Sequence, residues 1–256
     1  MSINKKEFNK KGFTIIKNFF LKEDIKKILN EIINTKNIKD KDFHYEKINN
    51  KKKLRRLEKV SDKLPKVKKI LNSRKLIRFI NNISNKKLIL FKDKLNIKYS
   101  GGKGYNPHFD GHYSWIDKNG KKNYGWSKYS NYFLNVVIPI DDVKIKNGCL
   151  YVGSKNNIRK VGKNFHSVIK SLSKYNFEIP ARINKKIKYH PVEMKCGDVL
   201  IFDWKCPHFS KKNRSSLIRR QIYITYCASK KFNQRKKYYL DRTKTKSDEK
   251  KLSLLN

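Results

Sequence analysis

Asn106-Pro107-His108-Phe109-Asp110 sets an imidazole and a carboxylate two residues apart. Side chains alternate along an extended chain, so His108 and Asp110 point to one side and can share a metal ion. A lone His-x-Asp also describes a turn carrying a surface histidine. Its complement lies far along the chain. Gly197-Asp198 feeds an apolar run, Val199 to Phe202, and Cys206-Pro207-His208 follows. A turn, a strand and a histidine in that order can bring His208 to the same ion. Arg219 stands eleven residues after His208.

Two imidazoles and one carboxylate on one face form the facial triad of non-haem Fe(II) oxygenases. Three protein ligands leave three octahedral positions open. A 2-oxo acid can fill two of them and dioxygen the third. Such a co-substrate carries a second carboxylate, which a planar guanidinium grips with two parallel hydrogen bonds. Arg219 supplies the guanidinium.

The elements that must position these groups change character along the chain. Phe13 to Ile16 reads as a short strand, and Ile25, Ile28, Leu29, Ile32 and Ile33 recur at helical spacing behind the acidic turn Glu23-Asp24. Residues 36–56 are polar and read as loop. Residues 61–84 read as two short helices, with Pro65 in a first turn. From Leu88 the pattern becomes β-like. KLILFKDKLNIKYS, NYFLNVVIPIDD, GCLYVGS, IKYHPVEMK, GDVLIFDW and RRQIYITYCAS are strand candidates separated by Gly, Asn, Asp and Lys turns. Helices first and strands after them predict an α+β antiparallel sandwich or barrel with helices packed outside. No linker divides the chain. We expect one domain over 1–256, with a helical part over about 1–87, a β core over about 88–229 and a polar tail over 230–256.

Composition narrows the class further. The chain has 256 residues, enough to bury a sizeable core, and 14 Phe, 14 Tyr and 3 Trp are more aromatic than a disordered chain carries. No apolar run approaches the roughly 20 residues of a bilayer span, and Lys17 interrupts the first apolar stretch, so neither a membrane segment nor a signal peptide is expected. The four cysteines are then expected to be reduced in a cytoplasmic protein. The net charge of +43 suggests a polyanion partner, but 53 of the 64 basic residues are lysine, accompanied by abundant Asn and Ile. That is the signature of an AT-rich genome, and it leaves nucleic acid unlikely as a partner.

The segments FNKKGFTIIKNFF, LRRLEKV, LFKDKLNIKYSGGKGYNPHFDG, IPIDDVKIKNGCLYV, GDVLIFDWKCPHFSKKNRSSLIRRQIYITY and RKKYYLDR carry a resemblance, in that order, from about Phe8 to Asp248. The chain resembles the phytanoyl-CoA dioxygenase family of Fe(II)- and 2-oxoglutarate-dependent oxygenases, and most of all its 2-aminoethylphosphonate dioxygenase-like subgroup. The resemblance implies a double-stranded β-helix (jelly-roll, cupin-like) core. It implies iron ligands at His108, Asp110 and His208, an arginine for the distal carboxylate at Arg219 with Arg220 beside it, and a hydroxylation that consumes 2-oxoglutarate and O2. Phe109 stands where the family usually has Gln, facing away from the metal. The usual Ser-His after the NGCL strand is absent, and the chain reads Gly153-Ser154-Lys155-Asn156 there.

Lys94, Asn96 and Lys98 alternate on the strand before the metal motif and share a face. Lys94 and Asn96 are expected to touch 2-oxoglutarate or substrate, with the co-substrate as the assignment; a solvated face is the alternative. Tyr105, His112, Tyr113 and Trp115 flank the motif and, with Arg220, are candidates for the substrate pocket, with core packing as the alternative for the aromatics. Gly101-Gly102-Lys103-Gly104 reads as a turn beside the site, because a phosphate loop requires a helix after it. The sequence therefore predicts a dioxygenase that hydroxylates a small, charged metabolite, an aminoalkylphosphonate in the subgroup's pattern. The alternatives are a polyanion- or nucleic-acid-binding or -modifying protein, a hydroxylase of a CoA- or carrier-bound acyl group, and a jelly roll without catalysis.

Overall fold

The computed structural model describes residues 2–34, 42–111, 114–116, 120, 122–156, 178–229 and 233–244. Strands β1 (Phe13–Ile16), β2 (Phe43–Ile48), β3 (Lys51–Glu58), β4 (Leu88–Lys98), β8 (Phe133–Pro139), β11 (Val199–Asp203) and β13 (Arg219–Ala228) form a seven-stranded sheet in the order β1-β11-β8-β13-β4-β3-β2. A smaller sheet, β10-β9-β12-β5, is made by β10 (Tyr189–Val192), β9 (Leu150–Gly153), β12 (His208–Ser210) and β5 (Tyr105–His108). The strand pairs named here are antiparallel. A separate ribbon pairs β6 (Ser114–Ile116) with β7 (Lys122–Tyr124). This two-sheet, antiparallel arrangement is a double-stranded β-helix with α-helices outside, as expected.

The large sheet has two different faces because its strands alternate. On β13, Ile222, Ile224 and Tyr226 join the apolar core beneath the helices, while Arg219, Gln221, Tyr223 and Thr225 occupy the alternate positions. On β4, Leu95 and Ile97 lie in that same core, and Lys94 and Asn96 line an interior cavity. The helices α2 (Lys22–Asn34), α4 (Pro65–Leu71) and α5 (Arg74–Ser84) close the apolar face through Ile25, Ile28, Val67, Leu71, Leu76 and Ile80. Local chemistry fixes their ends. Pro65 begins α4, the Ser73 side chain accepts from Leu76 N–H, and Asn85 takes a left-handed cap at φ 52°.

Three expectations need correction. Residues 36–56 were expected to be loop, yet β2 and β3 pair as a hairpin and extend the large sheet. The apolar period is hidden there because Arg55 and Arg56 turn inward and are matched by Glu46 and Glu58. The first 87 residues thus supply three strands as well as helices. The tail from Lys230, expected to be a polar extension, contains a helix, here α7 (Gln234–Lys244), after the short α6 (Ala181–Asn184). Tyr238 of α7 is fully buried among Phe91, Trp126, Tyr129, Phe133 and Trp204, which plug one end of the β core. A first helix, α1 (Ser2–Lys11), was not foreseen either. It is polar apart from Ile3 and Phe8, and Phe8 is buried.

Candidate metal centre and its cavity

Antiparallel pairing of β5 with β12 sets His108 directly opposite His208, which also faces Val152 of β9. The two ring centroids are 4.3 Å apart. Asp110 follows β5, and its Oδ2 lies 3.7 Å from His208 Nε2. One ligand atom from each of His108, Asp110 and His208 falls within 4.8 Å of the others. Gly111 then turns the chain at φ +75°, and a Cβ there would stand 2.7 Å from the Trp126 ring. A glycine after the carboxylate is therefore a packing requirement.

The donor set fits a divalent cation. His108 Nδ1 lies 2.6 Å from Asn106 O, and His208 Nδ1 lies 3.0 Å from Cys206 O. Each carbonyl accepts an Nδ1–H, which leaves both Nε2 lone pairs for a metal. Asp110 Oδ2 accepts from Asn135 Nδ2 at 2.9 Å, and Asn135 Oδ1 accepts from Thr225 Oγ1 at 2.8 Å. Burial, and next the neighbouring His208 ring, lower the His108 pKa to about 3, so this imidazole is neutral at pH 7. Burial alone would raise the Asp110 pKa, but His208, His108, Lys94 and Lys92 outweigh it and hold the carboxyl below its ordinary range. A neutral imidazole and an ionised carboxylate are the states a metal binds.

His108, Asp110 and His208 line a cavity together with positions of β3, β4 and β13 and with Tyr105, Trp126 and Tyr238; Arg219 and Gln221 are not among its lining residues. Beside it, the start of β13 buries polar groups. Arg219 is fully buried, its nearest hydrogen bond is a 3.4 Å contact from Nη1 to Tyr223 Oη, and no carboxylate pairs with it among the described residues. Arg219 Nε, Gln221 Nε2 and Asn96 Oδ1 are buried without a hydrogen-bond partner. Register places Gln221 opposite Asn96, so the three lie on neighbouring positions of β13 and β4. Buried polar atoms left open in a native fold call for a partner, and a guanidinium beside an amide donor calls for an anion.

The other predicted residues are placed as follows. Tyr105 lines the cavity, and its hydroxyl accepts from Arg55 Nε at 3.0 Å. Arg55 also donates to Glu46 and to the carbonyls of Lys103 and Gly104, which fixes the glycine-rich turn that leads into β5. A Cβ on Gly104 would stand 2.1 Å from Ser210 O, so this turn packs against β12. Lys94 and Asn96 line the cavity, whereas Lys98 points its ammonium at Ser210 Oγ (2.9 Å) and Lys211 O (2.6 Å). Arg220 is not brought to the cavity. It faces the opposite side from Arg219 and forks onto Asp141 at 2.8 and 3.0 Å. Trp115 lies in β6; His112 and Tyr113 lie outside the described residues.

Sequence reasoning missed Asn135, Gln221, Tyr223, Thr225, Arg56, Glu58 and Lys92. Two signals were present. Asn135 interrupts an otherwise apolar strand, and Arg219, Gln221, Tyr223 and Thr225 alternate with Ile222, Ile224 and Tyr226.

The sequence pattern of the phytanoyl-CoA dioxygenase (PhyH) family matches residues 8–221. A 2-aminoethylphosphonate dioxygenase from the uncultured bacterium HF130_AEPn_1 is 24% identical over 244 residues, covering 93% of this chain and 86% of that protein. A methylphosphonate hydroxylase of Gimesia maris is 28% identical over 180 residues, covering 70% of this chain and 60% of that protein. Among solved structures, EctD from S. alaskensis, with 2-oxoglutarate and 5-hydroxyectoine, superposes with a TM-score of 0.68 at 13% identity, covering 89% of this chain and 76% of that one. The epimerase SnoN, in complex with Fe3+, alpha ketoglutarate and nogalamycin RO, gives a TM-score of 0.66 at 11% identity, covering 88% and 82%. These likenesses bear out the double-stranded β-helix. No helix among the described residues is long and apolar enough to cross a membrane.

Proposed function

The chain belongs to the phytanoyl-CoA dioxygenase family and is a dioxygenase, and on that premise we propose that it hydroxylates a C–H bond of a small, charged metabolite. The reaction consumes 2-oxoglutarate and O2 and yields the alcohol, succinate and CO2. Fe(II) is held by His108, Asp110 and His208. The chain from 1 to 256 acts as one catalytic domain, because β1, β2 and β3 complete the sheet whose other strands carry the site. An organophosphonate, including an aminoalkylphosphonate, is the substrate class suggested by the relatives' names.

One observation carries the reading. Two imidazoles and a carboxylate converge, and a buried guanidinium without a carboxylate partner among the described residues begins β13, the strand whose Tyr223 and Thr225 line the same cavity. Bound iron couples the reduction of dioxygen to the decarboxylation of 2-oxoglutarate and the hydroxylation of the substrate. The protein's part is positional. The carbonyls of Asn106 and Cys206 hold the imidazoles in one tautomer, and Asn135 holds Asp110. Arg219 receives the distal carboxylate, and the open Gln221 Nε2, a donor, bonds the same co-substrate, with Asn96 opposite it in register. Leu150, Phe202 and Trp126 line the cavity with apolar surface and exclude water from the reacting centre.

The test is succinate release from 2-oxoglutarate by the Fe(II)-loaded protein across a metabolite pool. Turnover that depends on one pool fraction and vanishes in His108→Ala is expected. Retained turnover in His108→Ala overturns the assignment.

A further inference from the structure

With Arg219 and Gln221 assigned to the co-substrate, the cavity still holds a charged wall with no role. β3 and β4 pair in register, placing Arg56 opposite Asn96 and Glu58 opposite Lys94. Lys92 lies two residues from Lys94 on the same strand face. Arg56, Glu58, Lys92 and Lys94 all line the cavity. Three cations stand there with one carboxylate, and that carboxylate is taken, since Glu58 Oε1 lies 3.1 Å from Arg56 Nε.

We propose that this wall is the prime-substrate subsite and that it takes a doubly charged tetrahedral oxyanion, a phosphonate or a phosphate monoester, with Lys94 as the contacting cation. The proposal rests on the functional reading above and deepens it. It also moves Lys94 from the co-substrate, where the sequence placed it, to the substrate.

Each cation's surroundings point to Lys94. Arg56 is engaged by Glu58. Lys92 donates to Tyr238 Oη at 3.2 Å and lies 5.8 Å and 5.6 Å from the Trp126 and Tyr238 ring centroids. Lys94 has no hydrogen bond among the described residues, and the nearest ring, Tyr223, is centred 5.7 Å away. Burial, then Lys92 and Arg56, lower its pKa to about 8, which measures how poorly its charge is compensated without a ligand. An anion of two charges neutralises the surplus of three cations over one carboxylate. A monoanion leaves half of it in a low-dielectric interior. Lys94 and Lys92 also act on the Asp110 charge, so a substrate held there lies beside the metal ligands. Arg219 serves a different position, at the far end of β13 and opposite Lys98.

Glu58 carries a second consequence. Its Oε1 is paired with Arg56 Nε, which leaves Lys94 and Lys92 as the cations of this wall without a carboxylate partner among the described residues.

The experiment is calorimetric titration of the Mn(II)- and 2-oxoglutarate-loaded protein with ethylphosphonate, ethyl phosphate, 2-aminoethylphosphonate and ethanesulfonate. Ethylphosphonate or ethyl phosphate is expected to bind at least about tenfold tighter than the singly charged sulfonate, and the tighter of the two names the source. Lys94→Met is expected to weaken oxyanion binding by about 10- to 100-fold while 2-oxoglutarate affinity stays within about twofold. Lys94→Arg, which keeps the charge, restores part of the loss. The proposal is overturned if the wild type binds none of the four, if the sulfonate equals the phosphonate, or if Lys94→Met weakens 2-oxoglutarate and spares the oxyanions. Failure of the wild type to bind 2-oxoglutarate strikes the functional reading instead, and the same oxyanion series on the metal-free protein then decides the subsite by itself.

Discussion

Asn135 holds Asp110 from the opposite sheet. Its amide donates to Asp110 Oδ2 at 2.9 Å, and its carbonyl is fixed by the Thr225 hydroxyl at 2.8 Å. The carboxylate's orientation is therefore set by two residues of the large sheet, although Asp110 itself follows a strand of the small one. Asn135→Ala is expected to lower Fe(II) or Co(II) affinity by about 10- to 100-fold. Thr225→Val, which leaves the amide in place but frees it to turn, is expected to cost less. Anaerobic metal titration checks both, and a wild-type affinity in Asn135→Ala would remove Asn135 from the centre.

Arg219 offers a separation of function from stability. A buried guanidinium without a carboxylate costs the apo fold free energy, and the same group binds a dicarboxylate strongly. Arg219→Leu is expected to weaken 2-oxoglutarate binding about 100-fold or more, equivalent to roughly 3 kcal/mol, with metal affinity unchanged. Its apo melting temperature is expected to equal or exceed the wild type's. A melting temperature several degrees lower, with 2-oxoglutarate affinity intact, would make Arg219 a structural residue.

Much of this site can be read from sequence because its chemistry sits on short, rigid pieces. His108 and Asp110 are two apart in the chain, His208 follows closely on the apolar run Val199 to Phe202, and Arg219 lies on a strand whose apolar alternation is plain. The cationic wall cannot be read the same way. Arg56 and Glu58 belong to a hairpin whose inward face is charged, so hydrophobic periodicity reports loop where there is strand. Arg219 and Arg220 are adjacent and chemically identical, and only the strand's alternation sends one inward and the other to Asp141. Tyr238 is hidden in a lysine-rich stretch, where one buried aromatic per few turns leaves no periodic pattern.

Arg220 provides the control for Arg219. It makes two side-chain bonds to Asp141, which also accepts the Arg220 backbone N–H at 2.7 Å. Arg220→Ala is expected to cost about 1 kcal/mol or less, because both partners keep some contact with solvent. Asp141→Ala is expected to cost more, roughly 1–3 kcal/mol, since it strips three donors of their acceptor. Neither should change 2-oxoglutarate affinity, and a tenfold loss in Arg220→Ala would bring this residue back to the co-substrate.

Tyr238 ties the last described helix to the catalytic cavity. Its ring lies 4.8 Å from Phe91 and 5.6 Å from Tyr129, and its hydroxyl accepts from Lys92. Tyr238→Ala empties a fully buried volume and is expected to destabilise by about 3–5 kcal/mol, read by urea melts. Tyr238→Phe keeps the packing and removes only the acceptor. It is expected to retain near wild-type stability and to tighten oxyanion binding, because Lys92 then has a donor to give. Weaker oxyanion binding in Tyr238→Phe would mean that the hydroxyl itself holds the substrate.

The Lys94 pKa fixes the direction of a pH effect. Around its ammonium stand Lys92 on its own strand, Arg56 and Glu58 on β3, Tyr223 on β13 and Asp110 beyond β5. Arg56 keeps its charge throughout the accessible range. Burial raises the Tyr223 pKa from its ordinary value, so that phenol stays neutral at moderately alkaline pH. Lys94 is protonated below about 8 and loses its charge as pH rises through that value. Binding of sulfate, which keeps two charges across this range, to the metal-free protein is therefore expected to be constant below pH 7. Above about 8 it is expected to weaken, by up to about tenfold per pH unit. Sulfate binding by Lys94→Met should be weaker and nearly flat over the same window. A wild-type affinity that stays level from pH 7 to 9.5, measured by calorimetry at constant ionic strength, would show that Lys94 does not carry the contact.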